Sequence, residues 1–230
     1  MHERTATGPS APAFIRRKVM PHDLLSPEGL DLIESKADQL LAEIGIDIND
    51  ERDREEFRRA GAAIDGTRVR FEPGHVRELA STAPREFVQH ARNPAKSVTI
   101  GGDNVVMAPA YGSPFVRDLA GGRRYASLDD FHAFVKLTYA TPWLHHSGGT
   151  ICEPVDVPVN KRHLDMVYAH IRYNDQAFMG SVTVPERARD SVEMARILFG
   201  ADFADEHCVI LGNVNVNSPL VWDDAMTGAL

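Results

Sequence analysis

The side chains able to do chemistry in this 230-residue sequence sit in a few short runs. Asn215, Asn217 and Ser218 gather amides and a hydroxyl just ahead of Pro219 and Leu220. Such a set can hold a carboxylate or an amide through directed hydrogen bonds, or satisfy its own backbone as an Asn-rich turn. Gly148-Gly149-Thr150 has no side-chain bulk at two successive positions, so a ligand or another backbone can come close, and ordinary packing explains the same glycines. Ser181 and Thr183 form a similar run. His145 and His146 invite a metal or general-base reading, but neither has a second ligand three or four residues on, which favours a structural role. Cys152 is a thiol without a companion, a weak basis for thiolate–zinc chemistry, and with Cys208 far away in sequence both cysteines are expected to be reduced. Glu153 and Asp156 can draw a cation, although loop carboxylates are more often simply solvated.

The elements that must carry these runs come in three stretches. Residues 1–25 mix glycine, serine and proline without periodicity and read as an extended arm of the kind that packs on a neighbouring subunit; the run Arg16-Arg17-Lys18 within it reads as solvated charge. Residues 26–126 form a mixed α+β region. Ser26 and Pro27 open a helix with Leu30, Ile33, Ala37, Leu40, Leu41 and Ile44 on one stripe, and Gly45 stops it. A short helix is expected over 51–60, a strand near Val69 and Phe71, and a helix after Pro73. A strand over 87–91 follows, then hairpins around 101–104 and around Gly121-Gly122.

From Ser127 to residue 230 helices and strands alternate. Helices are expected from Ser127, over 159–172 with Leu164, Val167, Tyr168 and Ile171 inward, and over 185–199. Strands are expected at 144–151, 177–182 and 207–216, with starts about 30 residues apart, the length of a βα unit. Such units build an open doubly wound sheet or a closed barrel. No G-x-G-x-x-G follows a strand and no phosphate-binding G-x-x-x-x-G-K-[ST] occurs, which tilts the α/β reading toward a TIM-type (β/α) barrel. Three such strands against the usual eight imply a sequence that stops before the barrel closes. In a barrel the chemistry lies at the carboxyl ends of the strands, which favours 148–150, Ser181, Thr183, Asn215, Asn217 and Ser218 and puts Trp143, His145 and His146 toward the opposite end.

Acidic residues outnumber basic ones 33 to 25, a net charge of −8, so the broad basic footprint of a nucleic-acid binder is missing. No apolar run approaches the length of a membrane span, and Pro9, Pro12 and nearby charges stand where a secretion signal needs apolar residues; a cytoplasmic location is the expectation.

Several segments, taken in order, resemble the trimethylamine methyltransferase family, which includes glycine betaine methyltransferases. They are 40–46 (LLAEIGI), 90–94 (HARNP), 108–116 (APAYGSPFV) and 213–220 (NVNVNSPL). The resemblance implies a barrel enzyme that moves a methyl group from a tertiary or quaternary amine to the Co(I) of a corrinoid held by a separate protein, with no cofactor bound tightly by this chain and with assembly into homo-oligomers. Trimethylamine-specific members carry a pyrrolysine later than this sequence reaches. Under that reading Tyr111 and Phe115, bracketing Gly112-Ser113-Pro114, would give one wall of a cation cage, because aromatic faces attract cations without needing hydrogen-bond donors; a hairpin whose aromatics merely pack explains them equally. Asn215, Asn217 and Ser218 would take a substrate carboxylate or a corrinoid amide, and Gly148, Gly149 and Thr150 would accommodate the corrinoid. Two other classes compete: a non-catalytic remnant or assembly module that docks on a full-length homologue, and an unrelated small α/β enzyme using the 215–218 loop.

Overall fold

In the computed structural model, residues 11–215 and 220–229 are described; Asn217 and Ser218 lie outside them. The first half of the chain runs β1 (Ile15–Arg16), α1 (Pro27–Gln39), a π-type turn at Leu40–Ile44, β2 (Ile46–Asp47), α2 (Glu51–Arg59), β3 (Ala63–Asp65), β4 (Arg68–Arg70), α3 (His75–Ser81), β5 (Glu86–Gln89), β6 (Val98–Gly101) and β7 (Asn104–Val105). It continues through β8 (Phe115–Asp118), β9 (Gly122–Tyr125), α4 (Leu128–Ala140), α5 (Arg162–Tyr173), α6 (Pro185–Phe199), α7 (Ala201–Glu206) and α8 (Asp224–Thr227).

Local chemistry sets many of these boundaries. The Ser26 hydroxyl accepts from the Gly29 N–H with Pro27 in the first turn, and the helix that follows ends at Gly45, whose φ of 75° suits glycine alone. Asp50 caps α2, which has acids in its first turn and arginines in its last, both favourable to the helix dipole. Ser127 and Asp130 form a capping box: each side chain accepts from the other's backbone N–H, at 3.3 and 2.8 Å. Asp130 also takes the Arg124 guanidinium, and Asp156 accepts from the Leu128 N–H, so three side chains anchor the start of α4. Ser127→Ala should therefore lower stability by about 1 kcal/mol, seen as a lower urea midpoint at unchanged slope.

The chain divides into two compact units assembled from segments distant in sequence, whereas boundaries at 25 and 126 follow local pattern along the chain. One unit comprises the described part of Met1–Arg17 with Glu86–Ser181 and Asp190–Gly212; the other comprises Lys18–Arg85, Val182–Arg189 and the described part of Asn213–Leu230. In the second unit an antiparallel sheet ordered β2-β4-β3 packs Ile48, Ala62, Val69 and Phe71 against Phe57 and Trp222. In the first, an antiparallel sheet is ordered β1-β7-β6-β5. Part of the arm thus belongs to the chain's own sheet: Ile15 pairs with Val105 and Arg16 with Asn104. Beside this sheet lie the β8–β9 hairpin and the packed pair α4 and α5, around a core of Val116, Ala126, Phe131, Val135, Ile151, Cys152, Met166 and Ala169.

The architecture is mixed α and β, and the described residues form no closed barrel. Among the described residues the three expected barrel strands build no regular ladder. The Ser147 N–H donates to the Ala177 carbonyl, the Met179 N–H to Gly148 and the Gly180 N–H to Leu211, with one isolated parallel bridge between Met179 and Leu211. Side chains interrupt the ladder, since the Gly148 N–H goes to the His146 ring. Helix α5 also turns a different face inward from the one expected: His163, Met166, Val167, Ala169 and His170 are buried, whereas Leu164 and Tyr168 are exposed. Two histidines can lie on the inner stripe because each finds a polar partner there: His163 meets Asp190 at 2.7 Å, and His170 meets Ser147 and the Gly149 carbonyl.

Candidate functional site

Two of the runs singled out in the sequence lie side by side in the first unit. The Gly112 N–H donates to the Thr150 carbonyl at 2.7 Å, the Glu153 N–H donates to the Ser113 carbonyl at 2.9 Å, and Ser113 and Cys152 form a parallel bridge. Residues 111–115 therefore run along the strand end at 150–153. Tyr111 is half exposed there. Phe115 is differently placed: its ring tilts against Tyr125 with centroids 4.7 Å apart, and the Arg123 guanidinium lies 3.9 Å from its centre. A cation of the chain itself already uses that ring, so the aromatic available to a ligand is Tyr111.

The glycines make room for neighbouring residues of the chain. Both are buried. Gly148 has a φ of 87°, and a Cβ built on it would stand 2.7 Å from Pro109 Cγ; a Cβ on Gly149 would stand 3.2 Å from Met179 Cβ. Only Thr150 in that run is partly exposed. The backbone N–H and carbonyl of Ser181 meet the Ser191 hydroxyl, and the Thr183 hydroxyl accepts from the Arg187 guanidinium. Asn215 is exposed, its N–H directed at Met226 Sδ, 3.3 Å away.

Behind the strand end lies a polar network that sequence reasoning saw only in part. The Gln89 amide donates to the Phe178 carbonyl at 2.8 Å, so its oxygen faces His146 Nε2 at 3.0 Å, while His146 Nδ1 accepts from the Gly148 N–H at 2.9 Å. His170 lies between Ser147 Oγ, 2.6 Å from Nδ1, and the Gly149 carbonyl, 2.9 Å from Nε2. Burial disfavours the charged ring and pushes both histidines down to about 4, with mutual repulsion adding to the effect at His146. Both are neutral near pH 7. His145 is also lowered by burial; its Nδ1 accepts from the Met107 N–H at 3.0 Å, and its Nε2 has no hydrogen-bond partner among the described residues. Gln89 and His170 carried no chemical signal of their own in sequence. The signal available was spacing: His163, Met166, Val167 and His170 share one helical face.

The remaining candidates are accounted for by local contacts. Cys152 is 1% exposed, and burial together with nearby Asp130 pushes its thiol up to about 11. A thiol so rarely ionised is a poor nucleophile, and its alkylation by iodoacetamide at pH 8 should be roughly a hundredfold slower than that of a free cysteine, as followed by mass spectrometry. Complete labelling within minutes would contradict this. Glu153 pairs with Arg162 at 3.1 Å, and Asp156 caps α4, so neither is idle loop charge. Among the described residues no group of three or more His, Cys, Asp or Glu is placed to hold a metal ion, and no helix is long and apolar enough to cross a membrane.

Comparison with known proteins agrees with the resemblance seen in sequence. The family model described as trimethylamine methyltransferase matches residues 2–230. Glycine betaine methyltransferase from Desulfitobacterium hafniense (strain Y51) is 43% identical over 210 residues, which are 91% of this chain and 44% of that protein. The chain spans less than half the length of that relative. The match along essentially the whole sequence shows that this chain belongs to the trimethylamine methyltransferase family.

Proposed function

We propose that this chain contributes the first part of a (β/α) barrel enzyme that moves a methyl group from glycine betaine, or a closely similar methylated amine, to the Co(I) of a corrinoid presented by a separate protein. The observation that carries this reading is the 43% identity to glycine betaine methyltransferase across 91% of the chain. The chemistry asks little of acids or bases. As the methyl group leaves, the C–N electron pair stays on nitrogen and the amine departs neutral, so no proton has to reach it. Position matters most, because the cation must be held with one C–N bond aligned to the acceptor. Exposed Tyr111, beside the carboxyl end of the 144–151 segment, offers a ring face for the ammonium. In this reading the corrinoid is held by its own protein, and this chain meets its reactive face. The same reading places the enzyme in the cytoplasm as a homo-oligomer.

One observation favours a second reading, a module that docks on a full-length homologue: α1 has no buried residue and exposes Leu30, Leu32 and Ile33. The deciding experiment mixes the chain with glycine betaine and Co(I) cobalamin and follows dimethylglycine and methylcobalamin. Equal amounts of both are expected, and neither when betaine is omitted. No product, in a mixture where the full-length relative does turn over, would reject catalysis by these residues. Size-exclusion chromatography with that relative then tests docking.

A further inference from the structure

We propose that His146 and His170 are positioning residues for the strand end at 148–150, each holding the backbone of one glycine through a neutral imidazole of fixed tautomer. The proposal rests on the reading that this strand end borders the substrate site.

Each tautomer follows from partners that can play only one role. The Gln89 amide nitrogen is committed to the Phe178 carbonyl, so its oxygen must accept from His146 Nε2–H, which leaves His146 Nδ1 bare to accept from the Gly148 N–H. The Gly149 carbonyl can only accept, so His170 carries its proton on Nε2 and its bare Nδ1 accepts from the Ser147 hydroxyl. Side-chain packing fixes the second ring: it lies parallel to Phe178 with centroids 6.1 Å apart and meets Phe131 edge-on at 5.4 Å.

Two successive glycines are the most permissive backbone a strand end can have. Here each is tied by one backbone group to a different buried ring. The restraint passes onward, because the next carbonyl, that of Thr150, accepts from the Gly112 N–H, the neighbour of Tyr111. The imidazoles thus set where the exposed aromatic stands without touching a ligand themselves.

Amide side chains can mimic either half of an imidazole. Asparagine puts an acceptor near Nδ1, and glutamine puts a donor near Nε2. His146→Asn keeps the bond to Gly148 and loses the one to Gln89; His146→Gln does the reverse. His170→Gln keeps the bond to Gly149 and loses the one to Ser147; His170→Asn does the reverse. All four lose one buried hydrogen bond and some volume, so a merely structural role predicts similar effects from the two variants at each position. The positioning role predicts a crossed pattern. Glycine betaine affinity, measured by calorimetry, should stay within about threefold of the parent chain in H146N and H170Q and fall by about tenfold or more in H146Q and H170N. Amide exchange at Gly148, whose N–H is the one donated to the His146 ring, should accelerate in H146Q and not in H146N. Equal weakening across all four, or weakening that follows urea stability instead of the crossed pattern, overturns the proposal. If the parent chain binds no betaine, the substrate-site reading fails, and the exchange pattern alone decides the positioning role. Should variants not fold, the ¹⁵N imidazole shifts of the parent chain at pH 7 decide: both rings are expected as the Nε2–H form, and an Nδ1–H or doubly protonated ring at either position overturns it.

Discussion

Gly148→Ala is expected to destabilise the chain by about 2–5 kcal/mol, whereas Gly66→Ala should cost about 1 kcal/mol or less. Both glycines have positive φ, 87° and 61°, so each alanine meets the same kind of backbone strain, worth about 1–2 kcal/mol and partly offset by a less flexible unfolded chain. They differ in their surroundings. A Cβ on Gly66 meets nothing within 4 Å, while one on Gly148 stands 2.7 Å from Pro109 Cγ and 3.2 Å from its Cδ. A proline ring is tied to its own backbone at both ends and cannot swing aside as the tip of a long side chain can. Relief requires moving the backbone at 109 or at 148, an overpacking cost of about 1–3 kcal/mol on top of the strain. Urea unfolding of the two variants measures the difference, and the double variant Pro109→Ala/Gly148→Ala isolates the packing part, because the added methyl then has room. If Gly148→Ala costs no more than Gly66→Ala, or if Pro109→Ala restores nothing, the close approach is not what makes glycine necessary there.

What the sequence revealed about this fold depended on whether the signal was local. The helix starts at Ser26-Pro27 and Ser127, the stop at Gly45 and the hairpin around 101–104 are set by residues adjacent in the chain, and the structure places them where side-chain chemistry demands. The parallel segments are another matter. Apolar runs at 144–151, 177–182 and 207–216 marked buried extended chain, but whether buried chain forms a ladder depends on what its neighbours offer. Gln89 and His170, which meet 144–151 from distant parts of the sequence, were invisible to local pattern, and the His146 ring itself takes the Gly148 N–H that a ladder would use. The candidate site divides in the same way. That Tyr111 and Thr150 belong together follows from a hydrogen bond between segments nearly forty residues apart. Nothing in residues 148–150 alone could say that their glycines lie against Pro109 and Met179.

Stability should fall steeply between pH 6.5 and pH 4, by about 3 kcal/mol for each of His146 and His170. Both have an ordinary value of 6.5 and are held at about 4 in the fold, where burial disfavours the charged ring. Above pH 6.5 the folded and unfolded chains carry the same protons on these rings, and there is no effect. As the pH drops through 6.5 the unfolded chain takes up protons that the folded chain refuses, so the equilibrium shifts toward unfolding until the folded rings also protonate near pH 4. His145, lowered by burial, acts in the same direction. Together the two histidines can remove an amount comparable to the whole stability of an ordinary domain, about 5–15 kcal/mol. The carboxylates do not mimic this loss. Asp130, held down mainly by Arg124, and Asp118, held down by the Gly121 N–H, lie below their ordinary 3.8, so their contribution is present above that value and is lost only as the pH falls below it. Urea midpoints measured from pH 7.5 to pH 4 by circular dichroism should therefore decline first within the histidine range. The His146→Asn/His170→Gln double variant should start from a lower value at pH 7 and decline far less. A parent chain whose midpoint stays level to pH 4.5 and drops only below it would assign acid sensitivity to the carboxylates, and the buried rings would then not be the neutral acceptors that the strand end requires.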